Sequence, residues 1–253
     1  EALAAFEAGL DARMRFYLLD AAASFRRAIE LDPQFAAARV QLAAVTTDGE
    51  ERKLLRKELE AIDVSRLNER ERFLVELARV PREQQAEICA RYLASHPEDS
   101  WALYVAAGQA WDREDWVAAS ELYTRLLRAD PNWALARNNL GYLAMARAQF
   151  AEAEEQFRTY AYVAPDQANP HDSLGELLSL LGRYDEARAE LERALAIRPD
   201  FCASYQHLAG IAVFEGKPEE IPPLAERLGE HCPAEMQAQL ECEARYFAAF
   251  ISR

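Results

Sequence analysis

The sequence predicts an all-α protein, a right-handed α–α superhelix of about seven stacked helix pairs closed by one further C-terminal helix. Two observations carry that expectation. Pro97, Pro131, Pro165, Pro199 and Pro233 stand 34 residues apart, and a fixed period of this length marks a repeat architecture. Ahead of each proline the same order recurs: a small residue, a large apolar one four later and another three after that. That spacing draws one face of a helix.

The elements follow in chain order as one domain over residues 1–253. Residues 1–34 form the first repeat, with Gly9, Ala21, Phe25, Ala28 and Pro33 in the frame. Residues 35–98 are two irregular repeats, because Pro33 and Pro97 are 64 residues apart, four short of two full periods. The charged stretch from Glu50 to Arg82 reads as their solvated outer face with a shortened helix or loop. Residues 99–233 hold four regular repeats. The clearest copy runs from Ala168 to Asp200, with Leu174, Gly175, Leu178, Gly182, Tyr184, Ala187, Leu191, Ala194 and Pro199. Gly141 and Gly175 on first helices, and Ala153 and Ala187 on second helices, let paired helices approach. Phe157 and Leu191 are expected to fill the space between repeats. Proline ends each second helix because it cannot continue the hydrogen-bond ladder. Pro222 and Pro223 predict that the last second helix starts late and is short, since proline is tolerated only in a first turn. Residues 234–253 read as a closing helix over the last open face.

The period and the order Leu-Gly, Ala, Phe or Leu, Ala, Pro resemble the tetratricopeptide repeat. The match is strong over Trp101–Pro233, good over Glu1–Pro33 and poor between Phe35 and Glu98. The run from Leu67 to Phe73 is loosely similar to tetratricopeptide regions of bacterial signalling proteins: kinases, cyclases and transcription regulators. The resemblance implies an inner groove lined by the first helix of each pair. Its positions fall on Trp101, Tyr104 and Trp111, then Leu135, Asn138, Asn139, Tyr142 and Met145, then Asp172, and finally Gln206 and His207. Aromatic rings favour binding hot spots, and an asparagine amide both donates to and accepts from a peptide backbone. The carboxylate clamp of chaperone-tail receptors is not expected. Only Asn139 matches it; Tyr104, Gly108, Asn169 and Ser173 stand where its cations and other asparagine belong.

Composition narrows the functional classes. The net charge is −14, which disfavours nucleic acid and anionic lipid, both bound through lysine and arginine. No apolar run approaches the roughly 20 residues of a membrane span. The four cysteines, Cys89, Cys202, Cys232 and Cys242, lack zinc spacing. They read as mostly buried thiols of a cytoplasmic chain, with the periplasm left open; Cys232 and Cys242 are the pair close enough to join. No glycine-rich phosphate loop or nucleophile elbow is present. His171, Asp172 and His207 suggest a metal or acid–base site, against the plainer reading as polar groove lining. The expected function is therefore a non-enzymatic scaffold that needs no cofactor and takes a protein or peptide partner. A regulatory region of a larger signalling protein and a self-assembly module are the alternatives, so a homo-oligomer stays open.

Overall fold

The computed structural model describes the backbone of residues 1–251 and the side chains of residues 1–242. Helices follow one another as hairpins: α1 (Ala2–Met14) with α2 (Leu18–Leu31), α3 (Ala36–Val45) with α4 (Gly49–Ala61), α5 (Glu69–Arg79) with α6 (Arg82–Ser95) and α7 (Ser100–Asp112) with α8 (Trp116–Ala129). Next come α9 (Ala134–Ala146) with α10 (Phe150–Val163), α11 (Ala168–Leu180) with α12 (Tyr184–Ile197), α13 (Cys202–Phe214) with α14 (Ile221–His231), and last α15 (Ala234–Ile251). Among the described residues there is no strand. The chain gathers into two compact units, residues 1–136 and residues 137–253.

The prolines act where their chemistry requires. Leu31, Ser95, Ala129, Val163, Ile197 and His231 are the last residues of second helices, each two before a proline. A proline pushes the preceding residue out of the helical region, and Asp32, Asp130 and Arg198 are extended, with φ near −137° or −138°. At the other end of the hairpin, Phe16, Glu114, Ala148, Gly182 and Gly216 all have positive φ, between 56° and 73°. The last four again stand 34 residues apart. Three of the five carry a side chain in a conformation that costs an L-residue roughly 1–2 kcal/mol. Ala148→Gly is therefore expected to stabilise unit 2 by about 0.5–1 kcal/mol, the strain relieved less the extra freedom of glycine in the unfolded chain. A urea midpoint that stays put or falls would contradict this.

In three hairpins a glycine of the first helix meets a large residue sixteen positions later. A Cβ built on Gly9 would lie 2.5 Å from the Phe25 ring, one on Gly141 2.5 Å from Phe157, and one on Gly175 2.6 Å from Leu191. Phe157 and Leu191 thus sit over the glycine of their own hairpin, not only between repeats as the sequence suggested. In unit 2 they belong to one apolar core with Leu174, Leu178, Leu208, Ile211 and Leu228. Pro222 and Pro223 occupy the first turn of α14, which is eleven residues long and preceded by a 3-10 turn at Pro218–Glu220. The cysteine expectation fails here. Cys202 and Cys232 form a disulfide, with Cα atoms 6.0 Å apart, while Cys89 is a free buried thiol and Cys242 a free exposed one. The start of α13 and the end of α14 are brought side by side by folding, an adjacency that sequence distance hides.

In unit 1 the four missing residues have a definite place. α3 ends at Val45, about one turn short of α1 and α7, and Asp48 then caps α4 by accepting from the backbone of Glu50 and Glu51. The following connection is longer than elsewhere and holds a 3-10 turn at Val64–Arg66. Asn68 caps α5 through the Glu71 N–H, at 2.9 Å.

Candidate functional site

The first helices of unit 1 carry Trp101, Tyr104 and Trp111. Trp101 is only 8% exposed and packs in a core cluster with Phe73, Leu74, Leu77 and Cys89. Its ring lies 5.8 Å from Tyr104 and 5.9 Å from Trp133, and Tyr104 lies 5.6 Å from Trp133. Above the Trp101 ring, at 4.8 Å, sits the Arg13 guanidinium, which also donates to the Gln41 side chain. Burial lowers the Arg13 pKa, only partly offset by the charge of Tyr104. Trp101 is therefore a packing residue of unit 1, and Arg13 closes the face on which a partner ring was expected. Trp111 is half-buried and stacks on Trp116 at 6.2 Å. Leu135 is buried. Arg13 and Gln41 escaped the sequence reading because they lie in the first repeat and in an irregular one. Arg13 follows Gly9 by four residues as Met145 follows Gly141, and that register was the available signal.

Unit 2 presents a polar row instead. Asn138 on α9, Asp172 on α11 and Gln206 on α13 occupy one repeat position, and Asn139, Ser173 and His207 the next. Asp172 is buried and takes a hydrogen bond from Ser204 at 2.6 Å, with His207 Nδ1 at 3.2 Å. Tyr142 donates to Glu176 at 2.6 Å and reaches Ser173 at 3.3 Å; its ring stands edge-on to Phe157 at 5.1 Å. Glu176 in turn approaches His207 Nε2 at 4.0 Å. Burial and the Glu176 charge push the Tyr142 phenol up, so it stays a donor. Met145 is half-buried against the unit 2 core, and Asn139 and Gln206 are half-buried. Asn138 is 6% exposed, and its Oδ1 accepts no hydrogen bond among the described residues.

His171 turns away from this row. Its Nδ1 lies 2.7 Å from Glu190 on α12 and its Nε2 faces the Pro165 carbonyl at 3.3 Å. The pairing of His171 with His207 that the repeat register suggested does not form. Among the described residues no group of three or more histidine, cysteine or acidic side chains could hold a metal.

His207 makes the row sensitive to pH. Burial disfavours its cation, but the hydrogen bond to Asp172 and the charges of Asp172 and Glu176 outweigh burial and raise its pKa. A raised folded-state value stabilises the fold below the unfolded value, near pH 6.5, and that stabilisation is lost as pH rises through the folded value. His207→Gln is expected to cost roughly 1.5–3 kcal/mol at about pH 6, the worth of a hydrogen bond to a charged group, and less in alkali. A cost independent of pH would show that His207 is held as the neutral ring.

Comparison with known proteins agrees with this geometry. The tetratricopeptide repeat family model matches residues 168–201, the copy that the sequence frame marks as clearest. Residues 168–201 thus match a tetratricopeptide repeat, and the fold around them is that of tetratricopeptide repeat proteins. A tetratricopeptide repeat protein from Parabacteroides merdae is similar in fold over 96% of this chain and 98% of its own, with a TM-score of 0.63 at 14% identity. A thermophilic tetratricopeptide repeat protein from Thermus thermophilus covers 70% of this chain and 94% of its own, with a TM-score of 0.56 at 22% identity. YrrB, described as a tetratricopeptide repeat protein with an unusual peptide-binding site, covers 88% and 99% respectively, with a TM-score of 0.50 at 16% identity. No curated protein matches the chain. No helix among the described residues is long and apolar enough to cross a membrane. In the tetratricopeptide frame, Tyr142, Asp172, Glu176 and His207 all stand on first helices, the side from which repeat arrays present a binding surface.

Proposed function

We propose that this tetratricopeptide repeat protein is an interaction scaffold, and that the polar row of α9, α11 and α13 binds an extended basic segment of a partner protein. The observation that carries the reading is Asn138: a buried amide oxygen with no hydrogen-bond partner among the described residues, at the repeat position where Asp172 accepts from Ser204. An unmet buried acceptor costs about 1–3 kcal/mol, and a side-chain shift of Asn138 toward a docked peptide N–H would relieve that cost. Asp172 and Glu176 supply negative potential beside it, in a chain of net charge −14, which favours lysine or arginine in the partner. YrrB, similar in fold, is described as having a peptide-binding site, and it supports the reading by analogy of fold alone.

A display library of random peptides selected on the wild-type protein tests this. Ligands rich in lysine and arginine should emerge, and their affinity should fall at least tenfold in Asn138→Leu and in Glu176→Gln, consistent with losing a hot-spot contact of about 1.4 kcal/mol or more. Helicity and melting temperature should change little in either. Failure to enrich any peptide, or ligands that bind both variants as well as the wild type, would overturn the proposal.

A further inference from the structure

In the regular hairpins the small residue comes first and the large one sixteen later: Gly9 and Phe25, Ala107 and Tyr123, Gly141 and Phe157, Gly175 and Leu191. The hairpin of α5 and α6 reverses the order, with Phe73 first and Cys89 second. Phe73 stacks on Tyr92 at 4.1 Å, so its ring is committed to the α6 side of its own hairpin. At the same position α2, α8, α10 and α12 offer a ring or a leucine, α14 offers Ala225, and α6 offers a thiol. A crevice of about 410 Å³ opens between α6, α7 and α8, walled by Ala86, Ala90, Leu93 and Leu122. That size falls within the roughly 300–1,000 Å³ of small-molecule sites.

Two further features show that the crevice is not a plain packing defect. Gln109 lines it and is only 4% exposed; its Nε2 donates to Gln85 at 2.9 Å, yet its Oε1 has no hydrogen-bond partner among the described residues. Arg113 and Arg125 also line it. Arg125 donates to the Pro97 carbonyl, and neither arginine pairs with a carboxylate among the described residues. The Cys89 thiol, raised to about 11 by burial, stays protonated and contributes space rather than a nucleophile.

We propose that this crevice binds a medium-chain aliphatic carboxylate. The alkyl chain lies along the alanine and leucine walls, where burying apolar surface drives binding. The carboxylate takes charge-assisted hydrogen bonds from Arg113 and Arg125. Gln109 stands one helical turn before Arg113, the residue that closes α7, and a shift of its side chain toward the acid head would let a bridging water donate to its Oε1. The site lies wholly in unit 1 and is independent of the peptide row in unit 2.

Calorimetric titration with decanoate tests the site, with decanol and decyltrimethylammonium as matched tails of different charge. One decanoate should bind saturably per chain, and the other two at least tenfold more weakly. Arg113→Gln combined with Arg125→Gln should weaken decanoate about tenfold. Cys89→Phe should abolish binding by filling the crevice; because that change reaches the core, Ala90→Leu, at an exposed wall position, should do the same while leaving the core intact. Absence of saturable decanoate binding would overturn the proposal. So would unchanged binding in Ala90→Leu, or decanol binding as tightly as decanoate.

Discussion

Phe157→Ala is expected to destabilise unit 2 by about 3–5 kcal/mol, the usual range for deleting a fully buried ring. The ring has no exposed surface and touches Tyr142 edge-on. It also covers Gly141, whose missing side chain makes room for it. The melting temperature should fall by on the order of ten degrees. Gly141→Ala should be harmful for the reciprocal reason, since its Cβ would lie 2.5 Å from the Phe157 ring, and overpacking of this kind costs about 1–3 kcal/mol. Joined with Phe157→Leu, Gly141→Ala should cost clearly less than the sum of the two, as residues in direct contact are not additive. Simple additivity in thermal or urea unfolding would show that the two positions do not pack on each other.

Trp101→Ala is expected to cost a similar amount, about 3–5 kcal/mol, in unit 1. The indole is buried among Tyr104, Trp133 and the Arg13 guanidinium. Its removal takes away a ring and leaves a largely buried cation without its aromatic cover. The groove position implied for Trp101 and Tyr104 by the sequence would have their replacement weaken partner binding and leave the fold intact. The packing reverses that order, so loss of stability should dominate. Circular dichroism at rising urea decides between them: a midpoint equal to the wild type would return Trp101 to the binding face. Unfolding should be followed with a tryptophan probe for unit 1 and a second probe for unit 2, because a repeat array need not unfold as one cooperative body.

Particular residues show where legibility ended. The prolines, the recurring small and large positions of each helix and the Pro222-Pro223 late start could all be read directly, because each acts through local backbone sterics or helical spacing; that Phe157 and Leu191 sit over the glycine of their own hairpin could not. Asn138, Tyr142, Asp172 and His207 were placed on first helices by register alone, and their contacts with Ser204, Ser173 and Glu176 follow from stacking residues about 31 to 35 apart. The direction of His171 could not be read, since one step around a helix moved it from the row to Glu190.

The sequence by itself determined the helical hairpins, their period and the positions at which they turn, because proline, glycine and apolar spacing constrain the chain within one repeat. Tertiary structure alone decided four things. Cys202 pairs with Cys232, Arg13 settles over Trp101, Asn138 Oδ1 finds no partner among the described residues, and a crevice opens beside Cys89. Each depends on how side chains of different helices pack at a distance in sequence. Repeat spacing fixes which helix a residue is on, but the rotamers and small shifts of neighbouring repeats fix what it touches.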